Sequence, residues 1–195
     1  PITSDETFFY SILNLDYPGL ENVKKAVEAK DYLAARTAYV AYLKARKTPV
    51  WLFDWHDFNN PKSRKSNYHT KEADKIASNL LKSCDISYQF GKSVNWSINP
   101  APLEYNEWTW QLSRHPFWET LGKAYWATGD EKYAKAFVSQ LRSWIIDNPL
   151  PKNSANVAFS RWRTIETGIR TFGAWPNSFY YFLGSPSFDD ESILM

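Results

Sequence analysis

Apolar residues recur every three to four positions along most of this chain, and nowhere do β-branched residues alternate with polar ones over the length of a strand. Two-residue hairpin signals of the Asn-Gly type are missing as well. The pattern predicts an all-α protein. Glu21 to Arg46 carries Val23, Val27, Leu33, Ala34, Tyr39 and Leu43 at helical spacing, with Asp31 as the one break, which predicts two helices and a tight turn. Lys71 to Ser83 reads as helix through Ala73, Ile76, Leu80 and Leu81. Leu103 to Thr128 is helical except at Pro116, whose ring disfavours helix at His115 and divides the segment there. Gly129-Asp130 then ends one helix and caps the next, which runs through Phe137, Leu141, Trp144 and Ile145 to Asp147-Asn148-Pro149. Arg161 to Leu183 reads as one long helix with a bend or an end near Trp175, because Pro176 is next in the chain.

The intervening stretches read as loops: Trp51 to Asn60 with Pro61, the basic cluster Lys62-Ser63-Arg64-Lys65, Ser87 to Pro102, and Ser154 to Ser160. Asp31-Tyr32-Leu33-Ala34-Ala35 is echoed by Lys132-Tyr133-Ala134-Lys135-Ala136, each the second helix of a helical hairpin. Hairpins that bury their apolar faces on one another build a solenoid or a toroid. The 195 residues are enough for one domain with a real core, so residues 1–195 are taken together. At the ends, Pro1 begins without an initiator Met, and Ser187 to Met195 has the cap, acidic first turn and apolar start of another helix. Both ends predict a piece of a larger exported protein, secreted or periplasmic, whose signal peptide has been removed.

Composition narrows the function. Ten Trp, 12 Tyr and 12 Phe offer many flat apolar faces with polar tips, suited to core anchoring or to stacking on sugar rings. The 23 Lys and Arg against 21 Asp and Glu leave only +2, too little for nucleic-acid binding through bulk field. An anionic partner must be recognised locally. Cys84 stands alone and reads as a small buried residue, and His56, His69 and His115 are scattered, so no metal and no cofactor is expected. No apolar run approaches the roughly 18 residues of a membrane span.

Two constellations carry chemistry. Glu107, Gln111, Arg114 and Trp118, at i, i+4, i+7 and i+11, fall within about 60° of one helix face. A forked arginine beside an amide and an indole suits a sugar carboxylate or sulfate; the alternative is a solvated face with Arg114 paired to Glu107 or Glu119. Arg163, Glu166 and Arg170, at i, i+3 and i+7, lie opposite the apolar Ile165, Ile169 and Phe172, with Arg161 and Trp162 just before. Arginine without lysine favours planar, fork-like recognition, and the alternative is an Arg-Glu-Arg network bridging helices. His115 is placed either as a ligand or proton-transfer group or as a structural residue. No nucleophile elbow, phosphate loop or zinc motif is present.

The ordered blocks Glu107-Trp108-Thr109-Trp110-Gln111-Leu112-Ser113-Arg114-His115-Pro116-Phe117-Trp118, Thr128-Gly129-Asp130-Glu131-Lys132-Tyr133-Ala134, Ser143-Trp144-Ile145, Asn148-Pro149 and Trp162-Arg163-Thr164-Ile165-Glu166-Thr167-Gly168-Ile169-Arg170 resemble the amino-terminal domain of heparinase II/III-type polysaccharide lyases, most of all the heparinase III members. The resemblance covers Trp96 to Trp175 strongly. It implies an incomplete (α/α) toroid, followed in the whole enzyme by a β-sandwich, and β-elimination at a uronic acid of heparan sulfate or heparin. In that chemistry a carboxylate is neutralised, the C5 proton is removed and the leaving glycosidic oxygen is protonated, which needs an Asn or Arg and Tyr/His groups. In the family these groups lie in later helices and the following domain, so none maps here and residues 1–195 alone are expected to be inactive. Ser113 departs from the family's usual Asn. In such an enzyme the two aligned polar stripes make Gln111, Arg114, His115, Arg163, Glu166 and Arg170 candidate substrate contacts on one wall of a groove. A lyase for alginate or another uronate polymer and a tetratricopeptide-like interaction module are the competing readings.

Overall fold

The computed structural model describes residues 4–48, 52–59, 67–101, 106–152 and 160–195. These pack as two compact units, one of residues up to Asp54 together with Asp189–Met195, the other Trp55–Phe188. The basic cluster Lys62-Ser63-Arg64-Lys65, residues 102–105 and most of the Ser154 to Ser160 loop lie outside the described residues.

In the first unit, helix α1 (Asp5–Thr7) runs into a π-helical turn (Phe8–Ile12), and α2 (Glu21–Glu28) and α3 (Tyr32–Ala45) form the predicted hairpin. Its turn is tight because Lys30 adopts φ 57° and Asp31 N–H donates back to Ala26 at 2.9 Å. Asp31 then caps α3, its Oδ1 accepting from Ala34 N–H at 3.0 Å. Phe9, Leu20, Val23, Val27 and Ala35 make the core. The helix predicted at the carboxyl end is Asp190–Leu194, capped by Asp189 and with Asp190 and Glu191 in its first turn.

The second unit begins with a 3-10 turn, Trp55–Asn59, inside the stretch read as loop. Helix α4 (Lys71–Ala77) stops short of the predicted Ser83. Asn79, which tolerates the left-handed region, turns the chain at φ 63°, and its side-chain amide donates to Gly91 O at 3.0 Å. A hairpin then corrects the expectation of a chain without strands: β1 (Leu80–Ser83) and β2 (Ile86–Gln89) pair antiparallel, Leu81 opposite Tyr88. Cys84 and Asp85 form the two-residue turn with φ 47° and 62°, the double left-handed geometry that matches strand twist, achieved without Asn or Gly. Cys84 is accordingly half-buried in a turn rather than enclosed in a core.

Helix α5 (Glu107–Leu112) and α6 (Phe117–Thr128) are separated as Pro116 required, with His115 at φ 57° between them. Gly129 at φ 73° ends α6, and Asp130 caps α7 (Glu131–Asp147) through Lys132 N–H at 2.9 Å. The last predicted helix is two, α8 (Thr164–Phe172) and α9 (Ala174–Phe182). The break expected near Trp175 falls at Gly173, so Pro176 sits in the first turn of α9, where its missing N–H costs nothing. α6 and α9 approach so closely that a Cβ on Gly122 would stand 2.5 Å from the Tyr181 ring. Trp96, Trp108, Trp118, Trp144, Tyr125, Tyr133 and Phe182 fill the interior. Most of these aromatic polar tips are satisfied, as with Trp118 Nε1–H donating to Gln140 at 2.9 Å and Trp108 Nε1–H to Ile86 O at 3.0 Å. No helix among the described residues is long and apolar enough to cross a membrane.

Candidate functional site

α8 is inverted relative to its amphipathic pattern. Glu166 and Arg170 are 0% exposed, whereas Ile165, Ile169 and Phe172 are 55%, 43% and 85% exposed. The polar stripe faces inward because α5 and the turn after it present complementary polar groups and indole rings to it.

The inner part of this interface is a cage. The Arg170 guanidinium lies 4.6, 4.8 and 5.7 Å from the ring centres of Trp144, Trp162 and Trp175. Its Nη1 donates to Ser113 O at 3.1 Å and to Arg161 O at 2.8 Å, and its Nη2 to Thr167 Oγ1 at 3.2 Å. Burial lowers its pKa to about 10, partly opposed by Glu166, which leaves it charged at neutral pH. Arg161 extends the cage by donating to Trp96 O.

His115 occupies the neighbouring chamber. Its ring stacks on Trp118 with centres 3.9 Å apart and meets the edges of Trp96, Phe117 and Trp144. Trp175 Nε1–H donates to its Nδ1 at 3.0 Å. An indole nitrogen can only donate, so Nδ1 carries the lone pair and the neutral ring holds its proton on Nε2. Burial first, and the Arg170 charge second, hold the pKa well below its usual value. The ring is thus enclosed and tied to an indole through Nδ1, while its Nε2 has no hydrogen-bond partner among the described residues.

The outer part is a polar rim. Glu166 accepts from Arg163 through two bonds, Nε at 2.6 Å and Nη2 at 2.7 Å, and from Arg114 Nη2 at 3.0 Å. Burial alone would push its carboxyl up, but the bonds from Arg163 and Arg114 outweigh this and hold it below the usual carboxylate range. Arg114 also reaches Glu107 at 3.4 Å, and Gln111 Nε2 donates to the same Glu107 oxygen at 3.0 Å. The Arg163 guanidinium lies 3.5 Å above the Trp110 ring. Arg114 and Arg163 keep 21% and 22% of their side chains exposed.

All six sequence-predicted residues therefore come together, at two depths. Gln111, Arg114 and Arg163 reach the surface. His115, Glu166 and Arg170 are enclosed, each 0% exposed. Trp118 also leaves the predicted stripe, because the left-handed His115 and Pro116 turn it into the core. Both bland alternatives hold in part: Arg114 pairs with Glu107, and an Arg-Glu-Arg network bridges α5 and α8. Sequence reasoning missed Trp110, Trp144, Trp162 and Trp175 as the arginines' partners; the high Trp count was the signal. Among the described residues no group of His, Cys, Asp or Glu could hold a metal ion.

Comparison with known proteins agrees with this architecture. The model of the heparinase II/III amino-terminal family matches residues 9–195. A heparin-sulfate lyase of Bacteroides stercoris is 35% identical over 96% of this chain and 30% of its own length. One of Pedobacter heparinus is 34% identical over 93% of this chain and 28% of its own. Among solved structures, a mutant heparan sulfate lyase from Pedobacter heparinus superposes with TM-score 0.80 at 31% identity, covering 98% of this chain and 30% of that one. A heparinase III with methylated lysines gives 0.78 at 32% identity, covering 96% and 31%. The chain thus spans less than a third of the length of these relatives.

Proposed function

Because the chain belongs to the heparinase II/III amino-terminal family, we propose that it is the scaffold and one groove wall of a longer polysaccharide lyase that opens heparan sulfate by β-elimination beside a uronic acid. The observation that carries this reading is the family match over residues 9–195, joined to a partly exposed rim in which two arginines reach the surface beside an amide. The helical hairpins α2–α3 and α6–α7 are, on this reading, the opening turns of an (α/α) toroid. The match leaves nothing for a tetratricopeptide-like module to explain.

The rim supplies binding, not proton transfer. Gln111, Arg114 and Arg163 offer donors to sulfate and carboxylate oxygens. His115, the one histidine of the site, is enclosed and neutral, so on this reading the proton-transfer groups come from parts of the whole protein beyond residues 1–195. Heparan sulfate is an extracellular polymer, so the proposed place of action is outside the cytoplasm, in the periplasm or the medium.

Ultraviolet absorbance tests this reading, since each β-elimination leaves a conjugated uronate. The full-length protein should raise absorbance on heparan sulfate, and residues 1–195 alone should not. A full-length protein that acts on alginate and leaves heparan sulfate intact overturns the substrate. Product formation by residues 1–195 overturns the division of labour.

A further inference from the structure

We infer that Glu166 is a positioning residue, a buried carboxylate that fixes two guanidinium groups at one spacing and so makes Arg114 and Arg163 a single subsite for one sulfate or carboxylate group of a sugar. This rests on the reading of the rim as a substrate wall. Oε1 of Glu166 accepts from Nη2 of Arg114 and from Nη2 of Arg163, while Oε2 takes Nε of Arg163. Both forks are therefore tethered to one atom that is itself immobilised by 0% exposure. Arg163 is held further by Trp110 beneath it and Arg114 by Glu107 beside it, so neither can swing without leaving a partner.

What remains on each fork decides the ligand. Two nitrogens of Arg163 are spent on Glu166, and one of Arg114 on Glu166 and Glu107. The Nη1 groups of both arginines have no acceptor among the described residues, and both side chains keep a fifth of their surface open. Two tethered forks with unspent donors match the several oxygens of one tetrahedral or planar anion better than they match a neutral hydroxyl. Charge agrees: Arg114, Arg163, Arg161 and Arg170 stand against Glu107 and Glu166, so the locality stays cationic although the rim pairs are internally balanced. An arginine held in place also loses less side-chain entropy on binding than a free one.

The test is steady-state kinetics of the full-length protein on heparan sulfate oligosaccharides, with circular dichroism to confirm folding. Arg114→Ala and Arg163→Ala should each raise KM about tenfold with kcat little changed, the loss of a charge-assisted hydrogen bond. Glu166→Gln, which keeps size and loses charge, should raise KM at least as much although Glu166 never touches substrate, and Glu166→Asp should restore part of it. If the arginine variants leave KM unchanged, the rim is not a substrate wall and both readings fall. If they raise KM while a folded Glu166→Gln does not, positioning alone is overturned. Should Glu166→Gln fail to fold, Arg163→Lys replaces it: lysine keeps the charge but cannot span both Glu166 oxygens. Its KM must then rise about as in Arg163→Ala, and a wild-type KM overturns the proposal.

Discussion

Arg163, the residue that begins α8, and Arg170 in its last turn stand seven residues apart and have been put to opposite uses. Arg170 meets three indole faces and two backbone carbonyls, is wholly enclosed, and its pKa is drawn down to about 10 by burial. Arg163 meets one indole and one carboxylate, remains partly exposed, and is held above its usual range by its bonds to Glu166. Residue type is identical and the sequence spacing puts them on one stripe, so depth and the sign of the nearest charge separate them. The inner region spends its donors on the fold; the rim keeps some back. The cage joins α7, α8 and α9 to the turn after α5, and it thereby sets the platform on which the rim sits.

The largest effect that separates the two regions is in stability. Arg170→Ala leaves a void among three tryptophans and takes away the side-chain donor from two carbonyls, so a loss of about 3–5 kcal/mol is expected in urea unfolding. A cost below about 1 kcal/mol, the level of an exposed ion pair, would erase the distinction. Next in size is Trp175→Phe. It keeps an aromatic ring but loses the pyrrole half of the indole, and with it the one N–H that reaches His115 Nδ1, leaving a buried acceptor unpaired beside a small void at a cost of at least about 1–3 kcal/mol. No change in the unfolding midpoint would show that neither the bond to His115 nor the lost indole area stabilises the inner region.

The sequence told the phase of α8 but not its direction. Glu166 and Arg170 against Ile165, Ile169 and Phe172 define two faces, and periodicity alone assigns the apolar one to the core. The actual choice is made by residues distant in sequence: Trp144 on α7, Trp175 on α9, and Trp110 and Arg114 across from α8. Local signals with a local cause were legible, including Asp31 and Asp130 as caps, Gly129 as a stop and Pro116 as a divider. The hairpin Leu80–Gln89 was not, because its turn uses Cys84 and Asp85 where a sequence rule looks for Asn or Gly. The same limit applied to the site. Spacing gathered all six candidate residues, while burial, which depends on what packs across from them, divided them into cage and rim.

Smaller again, and confined to the inner region, is a pH effect. His115 folds with its pKa held well below the ordinary 6.5, so the unfolded chain takes up a proton before the folded one does. Its contribution to stability is therefore complete above about pH 6.5 and is lost as pH falls toward the depressed folded value, with a slope of at most about 1.4 kcal/mol per pH unit. Glu166 also has a lowered pKa, but its contribution is intact above the ordinary carboxylate value of 4.5 and fades only below it. Between pH 6.5 and 5 the slope thus reports on His115. His115→Asn, whose short side chain tolerates φ 57°, should flatten it. An unchanged slope in that variant would move the proton elsewhere.

The smallest expected stability change belongs to the rim, and it carries the comparison to its sharpest point. Arg114→Gln removes one of three bonds to Glu166, but the carboxylate keeps both bonds from Arg163, so no buried charge is left alone. The pair to Glu107 is partly exposed and long at 3.4 Å. Unfolding should shift by less than about 1 kcal/mol. Yet Arg114 is one of the two forks proposed to meet the sugar anion, so the full-length enzyme should lose affinity far out of proportion to this shift. Arg170→Ala should show the reverse order, losing stability first and affinity only as the platform loosens. If instead Arg114→Gln destabilises the protein as much as Arg170→Ala does, rim and cage are one structural network, and α8 holds its arginines inward for the sake of the fold alone.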